Sequence, residues 1–351
     1  MIDFNQRYRL KPGLSVVAHS PDIVELRSGV WNPLSITLSD KTASGKLFQV
    51  LSRLDGSSTL AQLREELGLS KGEIEALVTY LEQYDAVETG ATNIFDYQVQ
   101  LMRSTLGVVG PSQGELPPLL VLGDEALGEE LIRQLDGDFS QLSFLASSRE
   151  PLLQQLAQED FTLSEDPLAL ARRYEDFRAW EKTLVVAAFE NINPIVLRNL
   201  NRLALHFSFP WIHAALDGPL LLVGPTFLPH RSPCYDCFEG RIGMNIRESG
   251  SYQRYKQALA EGKVKLGNAM IPRPIRSLLS SLTAFEVLNY AATGSCFTAG
   301  KVLSVYLPTL AFSFNEILRL PGCAACSPID EQHEQGLYFH VKGFVNDMYS
   351  R

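Results

Sequence analysis

Four of the five cysteines in this 351-residue chain fall in two C-x-x-C pairs: Cys234 and Cys237 in "PCYDCFEGR", and Cys323 and Cys326 in "LPGCAACSP". The pairs stand 85 residues apart. Two thiolates from one tight turn can converge on a metal, and two such turns together make the closed tetrahedral shell of a structural zinc site, which leaves no position for chemistry. Pro233 and Gly322 suit those turns. A redox dithiol, which needs an exposed thiol of low pKa, is the other reading, but it accounts for one pair and not two. The fifth, Cys296 in "TGSCFTAG", has no base nearby to activate it as a nucleophile. His206, His213 and His230 lie near the first pair without ligand spacing among themselves. No G-x-S-x-G, H-E-x-x-H or Walker-type motif occurs, so no catalytic residue is assigned.

A second place where chemistry is expected is the turn after an apolar strand, in "LLVLGDEALGEELIRQLDG". Strand Leu119–Leu122, a turn and a helix from Glu125 to about Asp136 open a nucleotide-binding β-α unit. A phosphate-binding turn reads G-x-G-x-x-G, and its central glycine lets the backbone approach the phosphates. Here the turn is "GDEALG", with the bulky, negative Glu125 at that place. The next strand-like run, "LSFLASSRE", offers no acidic residue to grip a ribose. A nucleotide-binding fold with a decayed site is expected.

Further strands at Thr183–Phe189 and in "WIHAAL", separated by the helix "NPIVLRNLNRLALHFS", predict a mainly parallel sheet covered on both faces. Ahead of it, residues 1–88 read as three strands, "LSVVAHS", "DIVELRSG" and "WNPLSITLSD", followed by three helices, a winged-helix-like unit. The first helix is expected to begin at Ser39 or Asp40. The second and third start from Ser/Thr caps, and the second stops at Gly68. Residues 89–117, with a possible short helix in Gly/Ser/Pro-rich flanks, read as a linker, and residues 118–351 as the second domain.

Composition sets limits on function. A hydrophobic fraction of 45% with 20% charged residues suits two ordinary globular cores. A net charge of −9, and nine Lys/Arg against twelve Asp/Glu within residues 1–88, argue against nucleic acid. No apolar run approaches the ~20 residues of a membrane span, and the N-terminus lacks a signal-peptide core. No membrane partner and a cytoplasmic location are expected.

The stretches "AFENINPIVLRNLNRLALHFSFPWIHAALDGPLLLVGPTFLPHRSPCYDCFEGR", "SLLSSLTAFEVLNYAATG" and "LRLPGCAACSP" resemble the ThiF/MoeB-like fold of ubiquitin-activating-type adenylating enzymes. They resemble more closely its leader-peptide-binding, cyclodehydratase-associated branch. That branch serves the biosynthesis of thiazole/oxazole-modified microcins and related ribosomal peptides, hence bacteriocin and antibiotic production. Residues 1–88 are similar to the PqqD-like recognition element of those proteins, including "LDGSSTLAQL". The resemblance implies an α/β fold: a winged-helix-like domain followed by a Rossmann-type domain whose structural zinc is held by Cys234, Cys237, Cys323 and Cys326. It also implies that a leader peptide adds a strand to the third strand, at Leu34, Ser35, Ile36, Thr37 and Leu38, and packs against the third helix, at Ile74, Leu77, Val78 and Leu81. Adenylating members carry a glycine-rich turn, an acidic pair and an Asp-Asn pair. This chain has "GDEALG", "SSRE" and "FEN", with Glu190 for the aspartate. The resemblance therefore implies a non-catalytic subunit without ATP that presents its precursor to a separate YcaO-type cyclodehydratase for azoline formation. A homodimer is implied by the same analogy. The alternative is an ATP-dependent adenylating enzyme that modifies the bound precursor itself.

Overall fold

The computed structural model describes residues 2–31, 34–89, 116–158, 160–163, 166–265, 267 and 270–327. The chain divides into two compact units, Met1–Asn93 and Ile94–Arg351. Apart from its ends, the expected linker at 89–117, with its possible helix, lies outside the described residues. Among those residues the fold is mixed α/β, and no helix is long and apolar enough to cross a membrane.

The first unit runs β1 (Arg7–Leu10), β2 (Ser15–Ser20), β3 (Ile23–Ser28), β4 (Leu34–Ser39), α1 (Leu47–Arg53), β5 (Asp55–Thr59), α2 (Leu60–Leu67), α3 (Lys71–Gln83) and β6 (Val87–Glu88). The three expected strands, β2-β3-β4, form an antiparallel meander in which Val24 faces Leu38 and Leu26 faces Ile36. Period-2 alternation places these side chains on one face, over a core of Leu47, Leu51, Leu60, Leu63 and the Ile74, Val78 and Leu81 stripe of α3. Helix α3 starts where its sequence says it must. Ser70 Oγ accepts from the Glu73 N–H at 3.3 Å, and the Glu73 carboxylate accepts from the Ser70 N–H at 2.7 Å, a reciprocal cap. Thr59 and Gln62 cap α2 in the same way, and α2 ends at Gly68.

Two expectations are corrected here. The unit has a second three-stranded sheet, β5-β1-β6, and β5 occupies part of the stretch read as a turn between helices. These strands are short: β1 alternates over only four residues, β5 is polar throughout and β6 has two residues, too little for a strand signal. Helix α1 begins at Leu47 and not at Ser39 or Asp40. Asp40 is occupied in a loop: its carboxylate accepts from the N–H and hydroxyl of Thr42 at 2.8 and 2.7 Å, and from those of Ser44 at 3.1 and 2.6 Å.

The second unit comprises β7 (Leu119–Gly123), α4 (Glu125–Leu135), β8 (Leu142–Ala146), α5 (Pro151–Gln158), α6 (Pro167–Glu175), β9 (Leu184–Phe189), α7 (Pro194–Phe207), β10 (Trp211–Asp217), β11 (Leu220–Phe227), α8 (Tyr235–Asn245), α9 (Ser249–Ala260), α10 (Arg273–Thr293), β12 (Lys301–Tyr306) and β13 (Ala311–Glu316). They build a seven-stranded sheet in the order β13-β12-β11-β10-β9-β7-β8. Alternate residues of β7 and β9 enter opposite cores: Leu120, Leu122, Val185 and Ala187 one, and Leu119, Val121, Leu184 and Val186 the other. Burial on both faces accounts for their unbroken apolar sequence.

The sheet is mixed and not mainly parallel. Strands β8, β7, β9 and β10 run parallel, whereas β11, β12 and β13 each pair antiparallel with the strand before them. The reversal occurs at the two-residue connection Gly218-Pro219. So short a link permits a hairpin and excludes a crossover.

Candidate functional site

The described sheet of the first unit ends at β4, and the register of that strand decides which backbone groups are open. Asp40 N–H donates to the Asp22 carbonyl at 2.8 Å, so the 40/22 pair is a hydrogen-bonded one. The unbroken register through 39/23, 38/24, 37/25 and 36/26 then makes Leu38 and Ile36 the residues bonded to β3. The N–H and C=O groups of Ser35, Thr37 and Ser39 face the free edge, because bonded and non-bonded pairs alternate in an antiparallel ladder. All three side chains are exposed.

Alongside this edge runs a groove of about 600 Å³ between β4, the Asp40–Lys46 loop and α3. Thr37 and Leu38 form its strand side, and Glu73, Leu77 and Tyr80 its helix side. Of the residues expected at a peptide surface, Thr37, Leu38, Ile74 and Leu77 line the groove. Leu77 is half-buried, Ile74 forms part of the floor at 1% exposure, and Val78 and Leu81 lie beneath it in the core. Ser35 and Ile36 continue the strand, and the Leu34 backbone pairs with Ser28. Ala76 and Tyr80, on the outer side of α3, were missing from the sequence-based set. Exposure alternates with burial around a helix, so Leu77 predicts its neighbour Tyr80 at i+3. The charged lining of the groove is mixed, with Asp40 and Glu73 beside Lys41 and Lys46. Hydrogen bonds from Ser44 and Thr42 hold the Asp40 carboxyl well below the usual carboxylate range, and hydrogen bonds from Ser70 lower that of Glu73.

In the second unit the four cysteines of the two pairs converge. Their Sγ atoms all lie within 4.8 Å of one another. Cys234 is 3.9 Å from Cys237 and 3.7 Å from Cys323, and Cys237 is 3.5 Å from Cys326. Four Zn–S bonds of about 2.3 Å define a tetrahedron with edges of about 3.8 Å, so the cluster could hold a metal ion and is compatible with zinc. Cys234 caps α8 and Cys237 lies in its first turn. Cys323 and Cys326 sit on the turn after β13, which is fastened to α8 by Arg241 donating to the Leu318 and Arg319 carbonyls at 2.6 and 3.1 Å. Leu320 N–H donates to Cys237 Sγ at 3.3 Å, the kind of contact that orients a thiolate ligand. Burial pushes the Cys326 thiol up to about 11, so an arriving cation must displace protons. Cys296 stands apart, buried beside Thr298, and burial pushes its thiol up to about 12.

The turn Gly123–Gly128 is built for packing. A Cβ at Gly123 would collide with the Ala188 carbonyl oxygen, and one at Gly128 with the Phe144 ring. The Asp124 side chain makes no cap hydrogen bond to the helix it precedes and turns to the neighbouring strand ends. Asp124 accepts from the Glu190 N–H at 2.6 Å, the Asn191 N–H at 3.4 Å and the Ser147 hydroxyl at 3.2 Å, and so ties together the ends of three strands. Glu125 pairs with Arg149, and Glu190 with Arg276. The sequence signal for this role was an aspartate directly after the first glycine of the turn, which spacing alone does not distinguish from a spacer.

No family profile and no curated protein matches the chain. Solved structures are similar to it. The heterocyclase TruD aligns at 21% identity and a TM-score of 0.65, over 94% of this chain and 44% of that one. A heterocyclase in complex with substrate and cofactor aligns at 17% and 0.63, over 92% and 40%. E. coli MccB with MccA aligns at 12% and 0.52, over 91% and 99%. The chain thus spans less than half the length of the two heterocyclases and nearly all of MccB. At these identities the likeness is one of fold.

Proposed function

We propose that this chain is a non-catalytic subunit that captures the leader peptide of a ribosomally made precursor and presents it to a separate YcaO-type cyclodehydratase for azoline formation. The observation that carries this reading is the open edge of β4 beside the β4–α3 groove. An extended peptide laid there gains main-chain hydrogen bonds from Ser35, Thr37 and Ser39 and side-chain contacts from Leu77 and Tyr80. The first unit is read accordingly as a PqqD-like, winged-helix-like recognition element, and the second as a ThiF-like, Rossmann-type domain. The similarity in fold to heterocyclases and to a protein solved with MccA supports both assignments.

Zinc, held by Cys234, Cys237, Cys323 and Cys326, has a structural role in this reading. Four thiolates fill its coordination shell, and the metal fastens the chain after β13 to α8. Capture acts through effective concentration: a leader held on the complex keeps its core peptide at the partner's active site at a concentration a free peptide would not reach. Asp124 weighs against nucleotide on this chain, since its carboxylate stands at the first turn and already holds the N–H groups of Glu190 and Asn191. Reconstitution tests the assignment. Precursor, Mg-ATP and this protein alone are expected to yield no product, and addition of the YcaO partner is expected to yield loss of water from the precursor. Conversion by this chain with ATP alone would favour the adenylating enzyme instead.

A further inference from the structure

Strand β13 ends the seven-stranded sheet on one side, and every one of its residues is exposed. Two hydrogen bonds fix which of its backbone groups are open. Leu307 N–H donates to the Pro219 carbonyl at 3.0 Å, so the odd-numbered residues of β12 bond to β11 and the even-numbered ones to β13. Ile317 N–H donates to the Gly300 carbonyl at 2.9 Å, which continues the same ladder, with its register unbroken from 316/301 to 311/306. Bonded and non-bonded pairs alternate, so Ala311, Ser313 and Asn315 bond to β12. The N–H and C=O groups of Phe312, Phe314 and Glu316 therefore point to the open edge.

The side chains of this edge do nothing to close it. Phe312 and Phe314 lie opposite Val305 and Leu303, on the face of the sheet that shares a core with α10, and both rings are 55% exposed. Sheet edges are ordinarily blunted by lysine, proline or a bulge, because an apolar edge is a template for another strand. The sequence AFSFNE contains neither lysine nor proline, and its register with β12 has no shift. Its one charge, Glu316, is already partnered by Lys301 at 3.1 Å.

The spacing of the open residues says which strand fits. Phe312, Phe314 and Glu316 are symmetric about Phe314, so an identical strand turned about a two-fold axis there returns them in matching order. Phe314 falls opposite its own copy, and Phe312 opposite Glu316 of the second copy. Every open N–H then meets an open carbonyl. Directly opposed side chains share a face and diagonal neighbours are within reach of aromatic rings, so the phenyl groups of both copies form one apolar strip across the axis. Such a contact is isologous, each group of one chain being repeated in the other, as a closed two-fold dimer requires.

We propose that β13 is the contact surface for a second copy of this chain, paired antiparallel about an axis at Phe314 so that the two seven-stranded sheets continue into one. The inference rests on the second unit alone and is independent of leader capture by the first.

Sedimentation velocity of the full chain over a range of concentrations tests it, with circular dichroism as the control for folding. The parent is expected to sediment as a dimer that dissociates on dilution. Because Phe314 faces itself, Phe314→Glu and Phe314→Lys each place like charges directly opposite one another, which destabilises a strand pair. Each variant alone is expected to associate at least tenfold more weakly than the parent. An equimolar mixture of the two is expected to regain the dimer, since opposite charges then meet at the axis. A parent that is monomeric at every concentration would overturn the inference and leave the edge to a different polypeptide. So would folded Phe314→Glu and Phe314→Lys chains that both dimerise as the parent does, or a mixture of the two that stays monomeric.

Discussion

Proline at position 37 separates leader capture by strand addition from capture by side-chain contact alone. Thr37 sits at the middle of the open edge, and its N–H points away from β3. Thr37→Pro therefore removes no hydrogen bond within the sheet, and edge strands accept proline where the N–H faces outward. The preceding residue, Ile36, is already in a strand, as a residue before proline prefers. The cost to the fold should stay below about 1 kcal/mol, or a fall of roughly 4–8 °C in Tm for a unit of this size. Binding should suffer more. One N–H···O bond is lost, worth about 0.5–1.5 kcal/mol net, and the peptide carbonyl opposite it is left facing a ring, at a further ~1–3 kcal/mol if no water replaces it. The sum, about 1.5–4.5 kcal/mol, corresponds to a rise in Kd of about tenfold to two-thousandfold. Thr37→Val keeps the N–H and should bind within about twofold of the parent, because surface substitutions of this kind move free energies by about ±0.5 kcal/mol. Fluorescence polarisation with a labelled leader reads both variants. A Thr37→Pro protein that is folded and binds the leader as the parent does would refute the strand-addition geometry.

Cys323→Ser is expected to lower zinc content and the melting temperature of the second unit while leaving leader affinity unchanged, because the groove is built entirely within the first unit; metal analysis and calorimetry check this. Chelation of the parent protein should produce the same selective destabilisation, since binding of a structural metal contributes directly to folding. His213 gives a pH dependence of known sign. Its pKa is about 4 in the folded chain against about 6.5 unfolded, so the unfolded state binds more protons in that window. Stability is fully present above about pH 6.5 and is lost as pH falls toward about 4, on the order of 3 kcal/mol. His213→Gln should flatten that slope in urea melts at a series of pH values. Titration with millimolar Mg-ATP should give no heat, given Asp124 at the turn.

What could be read from the sequence was what is encoded locally. The two capping boxes of α2 and α3, the apolar runs of β7 and β9 and the two cysteine pairs are each written in a few adjacent residues, and the structure has them where expected. The cysteine pairs meet because α8 and the turn after β13 come together, a contact across 85 residues that spacing alone could not establish. Strands β1, β5 and β6 were not legible, since their place depends on partners far along the chain and not on their own alternation. The antiparallel half of the large sheet was signalled only by Asp217-Gly218-Pro219, a turn that does not say which strands it joins. At the groove, Ile74, Val78 and Leu81 are the apolar stripe that sequence reading finds first. The outward-facing Tyr80 and the open amides of Ser35, Thr37 and Ser39 follow from register and burial. Asp124 shows the same limit: its carboxylate binds backbone N–H groups 66 and 67 residues away.

The central claim is capture of a leader peptide at the β4 edge, and direct binding tests it. The labelled leader from the nearest small precursor gene, titrated with the full, metal-loaded chain in fluorescence polarisation, should show saturable binding that unlabelled leader displaces and the precursor's core peptide does not. A flat titration with folded protein, or displacement by core peptide as readily as by leader, would contradict it.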